Sequence, residues 1–174
     1  GGQQTDRGAA YVFIRQGGVW SVDQKLTASN AANNDNFGLS VAIKGGLIFV
    51  GARGADIGSN VDQGAVYVFS REGGTWREQQ ILTASDGTVA DNFGARLSLS
   101  DTGDRVVIGA IGDDLGTGSL RGSAYVFSTS GNEWIQEAKL ISPDGIEVGN
   151  FAESLAIDGD LIVVGAYHGR GVAY

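Results

Sequence analysis

The chain has no cysteine and no methionine, and only one proline and one histidine among its 174 residues. Without thiols there is neither a disulfide framework nor a thiolate metal site, and the redox compartment stays open. Basic residues are short as well: 12 Lys and Arg stand against 20 Asp and Glu, a formal charge of −8 and a pI near 4.5. A surface of that sign repels phosphate backbones and argues against nucleic acid as a partner. No apolar run has the length of a membrane span; the longest, Leu161 to Val164 with its flanks, suits a buried strand. Neither an initiator Met nor a signal-peptide pattern opens the chain, which reads as a processed or excised portion of something longer. What is plentiful is glycine, 29 residues spread without a Gly-X-Y period, which implies many tight turns rather than collagen. With 42% hydrophobic residues, a packed core is within reach.

Aligning the chain on itself gives its organisation. Gly8-Ala9-Ala10-Tyr11-Val12-Phe13 recurs as Gly64-Ala65-Val66-Tyr67-Val68-Phe69 and as Gly122-Ser123-Ala124-Tyr125-Val126-Phe127, with a fourth start at Gly171-Val172-Ala173-Tyr174. Trp20, Trp76 and Trp134 keep step, followed by Leu26, Leu82 and Leu140. Asn36-Phe37-Gly38 matches Asn92-Phe93-Gly94, and Asn150-Phe151-Ala152 is a degenerate third copy. Gly51-Ala52, Gly109-Ala110 and Gly165-Ala166 complete the pattern. The markers advance by 56 or 58 residues, except the last Gly-x-Ala-Tyr, which arrives after 49.

Each repeat reads as four short strands. Residues 37–43 alternate large and small side chains, the period of a pleated strand. Leu47-Ile48-Phe49-Val50 is apolar on both faces and is expected between neighbouring sheets. The Tyr-Val-Phe segment is the third strand, and Trp76 to Leu82 the fourth. Gly45-Gly46, Gly17-Gly18, Gly73-Gly74 and Gly131-Asn132 mark hairpins, and Asp158-Gly159 is read as a type I′ turn with positive φ at both residues. The predicted fold is all-β: β-propeller blades, each a four-stranded antiparallel meander. Residues 8–27 form a half blade (third and fourth strands), 37–84 and 93–142 full blades, and 151–174 a partial blade, about three blade equivalents in a single array.

The Asn-Phe-Gly start, the Val-Gly-Ala after the second strand and the Gly-x-x-Tyr-Val-Phe third strand resemble the FG-GAP repeat, over essentially the whole chain. The Trp-bearing fourth strand and the Leu-Thr-Ala-Ser continuation (Leu26 to Ser29, Leu82 to Ser85) are similar to its bacterial extracellular form. The resemblance implies the propeller of integrin α-subunits and bacterial surface proteins, and an extracellular or cell-surface location. It also implies a calcium loop, Asp-x-Asp-x-Asp-Gly-x-x-Asp, between first and second strands. Here that connection has shrunk to Lys44-Gly45-Gly46, Asp101-Thr102-Gly103-Asp104 and Asp158-Gly159-Asp160. Calcium takes six to eight oxygens, which so short a turn does not supply. A propeller closes with roughly four to eight blades. The remaining blades are therefore expected from the rest of a parent chain, or else from other copies pairing in trans into a six-bladed ring.

Strand parity places the tight hairpins on one rim and the long connections on the other. The long-loop rim is the candidate binding face, since binding residues favour long loops on a rigid scaffold. Its loops carry Asn33, Asn34 and Asp35; Asp56, Asn60 and Asp62; Asp86 and Asp91; Asp113 and Asp114. Carboxylates suit a hard cation such as Ca2+, and the candidate ligands are Asp113 and Asp114 first, then Asp56, Asp62, Asp86 and Asp91. Asp and Asn are equally the residues that build turns through side-chain to backbone hydrogen bonds. Trp20, Trp76 and Trp134 are expected to pack between blades, and Tyr11, Tyr67, Tyr125, Phe13, Phe69 and Phe127 to lie in the core. Asn36 and Asn92 are read as turn caps, and His168 as a solvated loop residue. No nucleophile, phosphate loop or zinc motif is present, so the expectation is a non-enzyme. The functional expectation is a propeller mediating adhesion, protein binding or assembly, with a protein or glycan ligand on the long-loop rim. Alternatives are a lectin-like propeller, a propeller domain of a larger secreted enzyme, and a subunit of a surface filament.

Overall fold

A computed structural model describes residues 6–116, 121–131, 133–143, 150–166 and 172–173. Strands β1 (Ala10–Gln16) and β2 (Val19–Leu26) form a two-stranded antiparallel sheet. Strands β3 (Ser40–Lys44), β4 (Leu47–Ala52), β5 (Ala65–Glu72) and β6 (Thr75–Leu82) pair in chain order as a four-stranded meander. The same order recurs in β7 (Phe93–Leu99), β8 (Arg105–Ala110), β9 (Ser123–Ser130) and β10 (Glu133–Leu140). A three-stranded sheet follows, of β11 (Phe151–Asp158), β12 (Leu161–Ala166) and β13 (Val172–Ala173). No helix occurs among the described residues. The fold is all-β and built of propeller blades, two complete and two partial.

The apolar sequence of the inner strands follows from their position between two sheets. Ile48 and Val50 of β4 join a core with Leu26, Tyr67, Phe69 and Trp76, facing the first hairpin. Phe49, on the opposite face of the same strand, joins Val66, Val68, Phe93, Tyr125 and Trp134, facing the next blade. The period of two thus sorts alternate residues into two separate interfaces. In β8, Val106 and Ile108 face one core and Val107 the other, which it shares with Phe151 and Val164.

Blades are also joined by polar clamps that repeat exactly in register. Gln24 of β2 donates from Nε2 to the Trp76 carbonyl and accepts the Trp76 N–H at Oε1, both at 2.8 Å. Gln80 of β6 does the same for Trp134, again at 2.8 Å and 2.8 Å. Each primary amide supplies the donor and acceptor that one more ladder residue would offer to the outer strand edge. Ala138 stands at this position in β10 and carries no such group.

Backbone geometry explains the recurrent glycines. Gly64 has φ +88°, and a Cβ there would sit 2.1 Å from the Phe93 carbonyl oxygen of the next blade, so a side chain is barred twice over. The pairs Gly17-Gly18, Gly45-Gly46 and Gly73-Gly74 have positive φ throughout, as two-residue hairpins of type I′ require.

Two expectations are corrected. Asp158 is the last residue of β11, paired with Leu161, so the final hairpin turns on Gly159-Asp160. Only Gly159 has positive φ there, the pattern of a type II′ turn. The aromatic residues also divide. Trp76 and Trp134 are buried at 6% exposure, with Tyr67, Tyr125, Phe69 and Phe127, whereas Trp20 is 65% exposed and Tyr11 and Phe13 are exposed beside it. The difference is the preceding blade: Trp134 meets Phe49 edge-on, 4.8 Å between centroids, and Trp76 is held by β2. Trp20 lies on the outward face of the first sheet. The fourth Gly-x-Ala-Tyr start lies only partly within the described residues, as does the Gly131-Asn132 hairpin.

Candidate functional site

The connections β4–β5, β6–β7 and β8–β9 emerge on the rim opposite the hairpins, and hydrogen bonds between blades fix them to one another. The Ala90 N–H donates to the Val61 carbonyl (2.8 Å), Asn92 to Asp62 (3.1 Å), Phe93 to Gln63 (2.8 Å) and Gly112 to Asp91 (2.9 Å). One interface earlier, Asn36 donates to Asp6 (3.0 Å) and Gly54 to Asp35 (3.1 Å). The loops therefore form a stapled rim rather than separate excursions. Asn36 and Asn92 have φ of 57° and 58°, and each donates its amide to a carbonyl two residues back, Asn34 and Ala90. Both form turns, as the sequence implied.

The acidic residues of this rim fall into three kinds. Asp35 and Asp91 are buried and accept the N–H three residues upstream, from Ala32 and Thr88, each at 2.6 Å. Thr88 Oγ1 donates to the second Asp91 oxygen at 2.9 Å. Burial raises both carboxyls above their ordinary range against the pull of those N–H donors. Asp56 and Asp114 shape their own loops: Asp56 Oδ1 accepts the Asp62 N–H (2.9 Å), and Asp114 Oδ1 accepts the Gly116 N–H (2.7 Å). Asp62 contributes a carbonyl and an N–H to the loop network.

Asp86 and Asp113 are the third kind, and the structure brings them together. The Tyr125 hydroxyl lies 2.9 Å from Asp86 Oδ1 and 2.8 Å from Asp113 Oδ2. Lys139 Nζ stands 2.7 Å from Asp86 Oδ2 and 2.7 Å from Asp113 Oδ2, and 5.2 Å from the Tyr125 ring centroid. Asp113 Oδ1 accepts the Leu115 N–H at 2.9 Å. Burial opposes ionisation of both carboxyls, but the ammonium and the other donors outweigh it and hold both below their ordinary value. Burial likewise opposes the charge on Lys139, and the two carboxylates overcome it and raise its pKa. Desolvation, reinforced by the two carboxylates, pushes the Tyr125 hydroxyl up.

This arrangement does not fit a calcium ion. The gap between the two carboxylates holds the chain's own cation, and the Gly45-Gly46 connection is a two-residue turn without carboxylates. Among the described residues, no group of three or more His, Cys, Asp or Glu is placed to hold a metal. Of the six candidate ligands, then, Asp86 and Asp113 meet around Lys139; the Asp56, Asp91 and Asp114 carboxylates accept N–H groups of their own loops, and the Asp62 and Asp91 carbonyls accept N–H groups of the next blade. His168 lies outside the described residues.

Lys139 is the residue that sequence reading passed over. Its counterparts across the repeat show the signal: Asn30, Ala55 and Ile81 in one interface become Asp86, Asp113 and Lys139 in the next. In the neutral version the Tyr67 hydroxyl donates to Asn30 Oδ1 at 2.7 Å, and burial raises its pKa to about 12. The same rim exposes Val61 (53%) and Val89 (58%), in the two loops that the Ala90 to Val61 hydrogen bond ties together.

A family model described as FG-GAP repeat matches residues 20–69, 76–127 and 134–173. Each match begins at one of the three tryptophans and ends in or near the third strand of the following blade, so it spans an interface between blades. No curated protein matches the chain.

Proposed function

The chain belongs to the FG-GAP repeat family, and from that premise we propose that it is a non-catalytic extracellular or cell-surface module that binds a protein partner through its long-loop rim, in adhesion or assembly. The observation that carries this reading is the exposed Val61 and Val89 on loops pinned between blades. A pre-ordered apolar spot within an acidic rim loses little entropy on binding and suits a protein surface. A glycan platform draws instead on exposed aromatic rings. Among the described residues, the large apolar side chains exposed in the long loops are aliphatic: Leu39, Val61, Val89 and Ile141. Among those residues, too, no helix is long and apolar enough to cross a membrane.

The test is retention of beads carrying the chain on immobilised extracellular-matrix proteins and on a glycan array. Retention on protein is expected. It should fall about tenfold in the Val61→Asp/Val89→Asp variant, the effect of losing roughly 1.4 kcal/mol of contact energy, with the melting temperature unchanged. Retention on glycans alone, indifferent to these substitutions, overturns the protein-binding reading.

A further inference from the structure

We infer that the groove between the two complete blades, on the hairpin rim, receives an arginine side chain of a partner protein. The groove has a volume of about 340 Å³, and its lining includes Ser70, Glu72, Gln79, Gln80, Thr129 and Trp134. What it would hold is shown by the equivalent place one interface earlier, where the chain fills the position itself. There the Arg71 guanidinium lies 5.7 Å from the Trp76 ring centroid, and Arg71 Nη2 is 3.2 Å from Asp23 Oδ1. Asp23 Oδ2 accepts the Trp76 indole N–H at 3.2 Å, and Arg71 Nε donates to the Gly74 carbonyl at 3.3 Å. Indole, carboxylate and carbonyl thus make a receptor already occupied by a guanidinium.

In the second interface the indole is retained as Trp134, but Thr129 takes the place of Arg71 and Gln79 that of Asp23. The cation is missing and space is left. A carboxylate is supplied from a different position: Glu72 lines this groove, where the first interface has Gln16. Gln79 Nε2 donates to Glu72 Oε1 at 3.0 Å and to the Arg77 carbonyl at 3.4 Å, so it is turned along the strand to the carboxylate. Arg77 stands 3.9 Å from Glu72 Oε2, with both side chains more than half exposed, a pairing of little worth. The groove therefore sets a weakly paired carboxylate beside the margin of Trp134, whose ring is otherwise buried and meets Phe49 edge-on. A planar guanidinium matches it better than an ammonium, because it can fork to the carboxylate while its flat face lies along the indole margin. This site lies on the rim opposite the long loops, so it stands or falls separately from the proposed protein contact there.

The experiment titrates acetyl-Gly-Arg-Gly-amide into the whole chain and follows the indole Nε1–H signals by NMR. The same peptide with citrulline, neutral and of equal shape, is the control. A saturable shift of the Trp134 signal is expected with arginine and, at about tenfold lower affinity or less, with citrulline. Thr129→Arg, which supplies the missing guanidinium in cis, should abolish the response. Glu72→Gln, at an exposed position where folding is not at stake, should weaken it severalfold. Equal responses to arginine and citrulline, an unmoved Trp134 signal, or undiminished binding by both variants overturns the assignment.

Discussion

At Lys139, one ammonium answers two carboxylates on two different loops, and the energetics follow from how little water reaches it. Lys139→Met leaves Asp113 charged and buried, and is expected to cost about 2–3 kcal/mol at neutral pH, below the full buried-pair penalty because Asp86 is half exposed. Chemical denaturation measures this directly. The pH dependence has a defined sign. Asp86 and Asp113 have folded pKa values below their ordinary ones, so their stabilisation is present above the unfolded value and lost as pH falls through the folded one. Lys139 is raised, so its share is complete below its unfolded value and lost as pH rises through the folded one. Asp35 and Asp91 oppose the acid trend, since their raised pKa values favour the fold when they are protonated. Lys139→Met should therefore flatten the acid and the alkaline limbs of the stability profile, while Asp35, on which Lys139 does not act, keeps its contribution and Asp91 loses the downward pull of the ammonium. Another single residue bears strain: Ala152 sits at φ 69° where the other repeats have Gly38 and Gly94. Ala152→Gly is expected to stabilise by about 1 kcal/mol, a rise of roughly 2–4 °C in melting temperature by calorimetry.

At the scale of the strand, the outer edge is where blades recognise one another. An exposed edge with free N–H and C=O groups invites pairing with another chain, and Gln24 and Gln80 each close one such edge with a side-chain amide. Gln80→Ala removes two hydrogen bonds to Trp134 but leaves the Phe49 contact. The expected loss is about 1–2 kcal/mol, with the denaturant slope unchanged. Gln80→Glu should fall between, because its carboxylate accepts the Trp134 N–H but offers no donor to the carbonyl. A loss in Gln80→Ala no larger than in a solvent-facing control such as Gln16→Ala would show that the clamp contributes nothing. The repeat alignment revealed the spacing of Gln24 and Gln80 but gave no reason for it. In sequence they lie in the same strand as Trp20 and Trp76, whereas their partners lie one blade further on.

At the scale of the whole molecule, the described residues form three cores, each made from facing sheets rather than within one sheet. Exposure of Trp20, Tyr11, Val41 and Ile43 on one side, and of Leu161 and Val163 on the other, follows directly. These residues lie on the outward faces of the end sheets. Calcium addresses the molecule as a whole, because an ion in any loop that binds only the folded state would raise the melting temperature. At a hundredfold excess over its dissociation constant the gain is about 2.7 kcal/mol, or roughly 5–11 °C for a chain of this size. With Lys139 seated between Asp86 and Asp113, the expected result is the same melting temperature in excess calcium and in chelator. A clear rise in calcium would overturn that fit.

The sequence alone determined the strands, their order and the blade as the repeating unit, because period-two alternation, paired glycines and markers 56 to 58 residues apart are local or additive signals. It also carried the family, whose motifs lie within short stretches. Which aromatic residues are buried was decided only by tertiary structure, since Trp20 and Trp76 have nearly the same neighbours in sequence and different neighbours in space. The same holds for the acidic loops. Asp86, Asp113 and Lys139 come from three separate segments, and composition suggested a metal where the fold supplies an ammonium. The arginine-sized groove was hidden for the same reason: Thr129 is an unremarkable strand residue until it is superimposed on Arg71 and the indole beside each is compared. Local patterns fix which strands form; the charge and space between blades belong to residues that meet only after the strands have stacked.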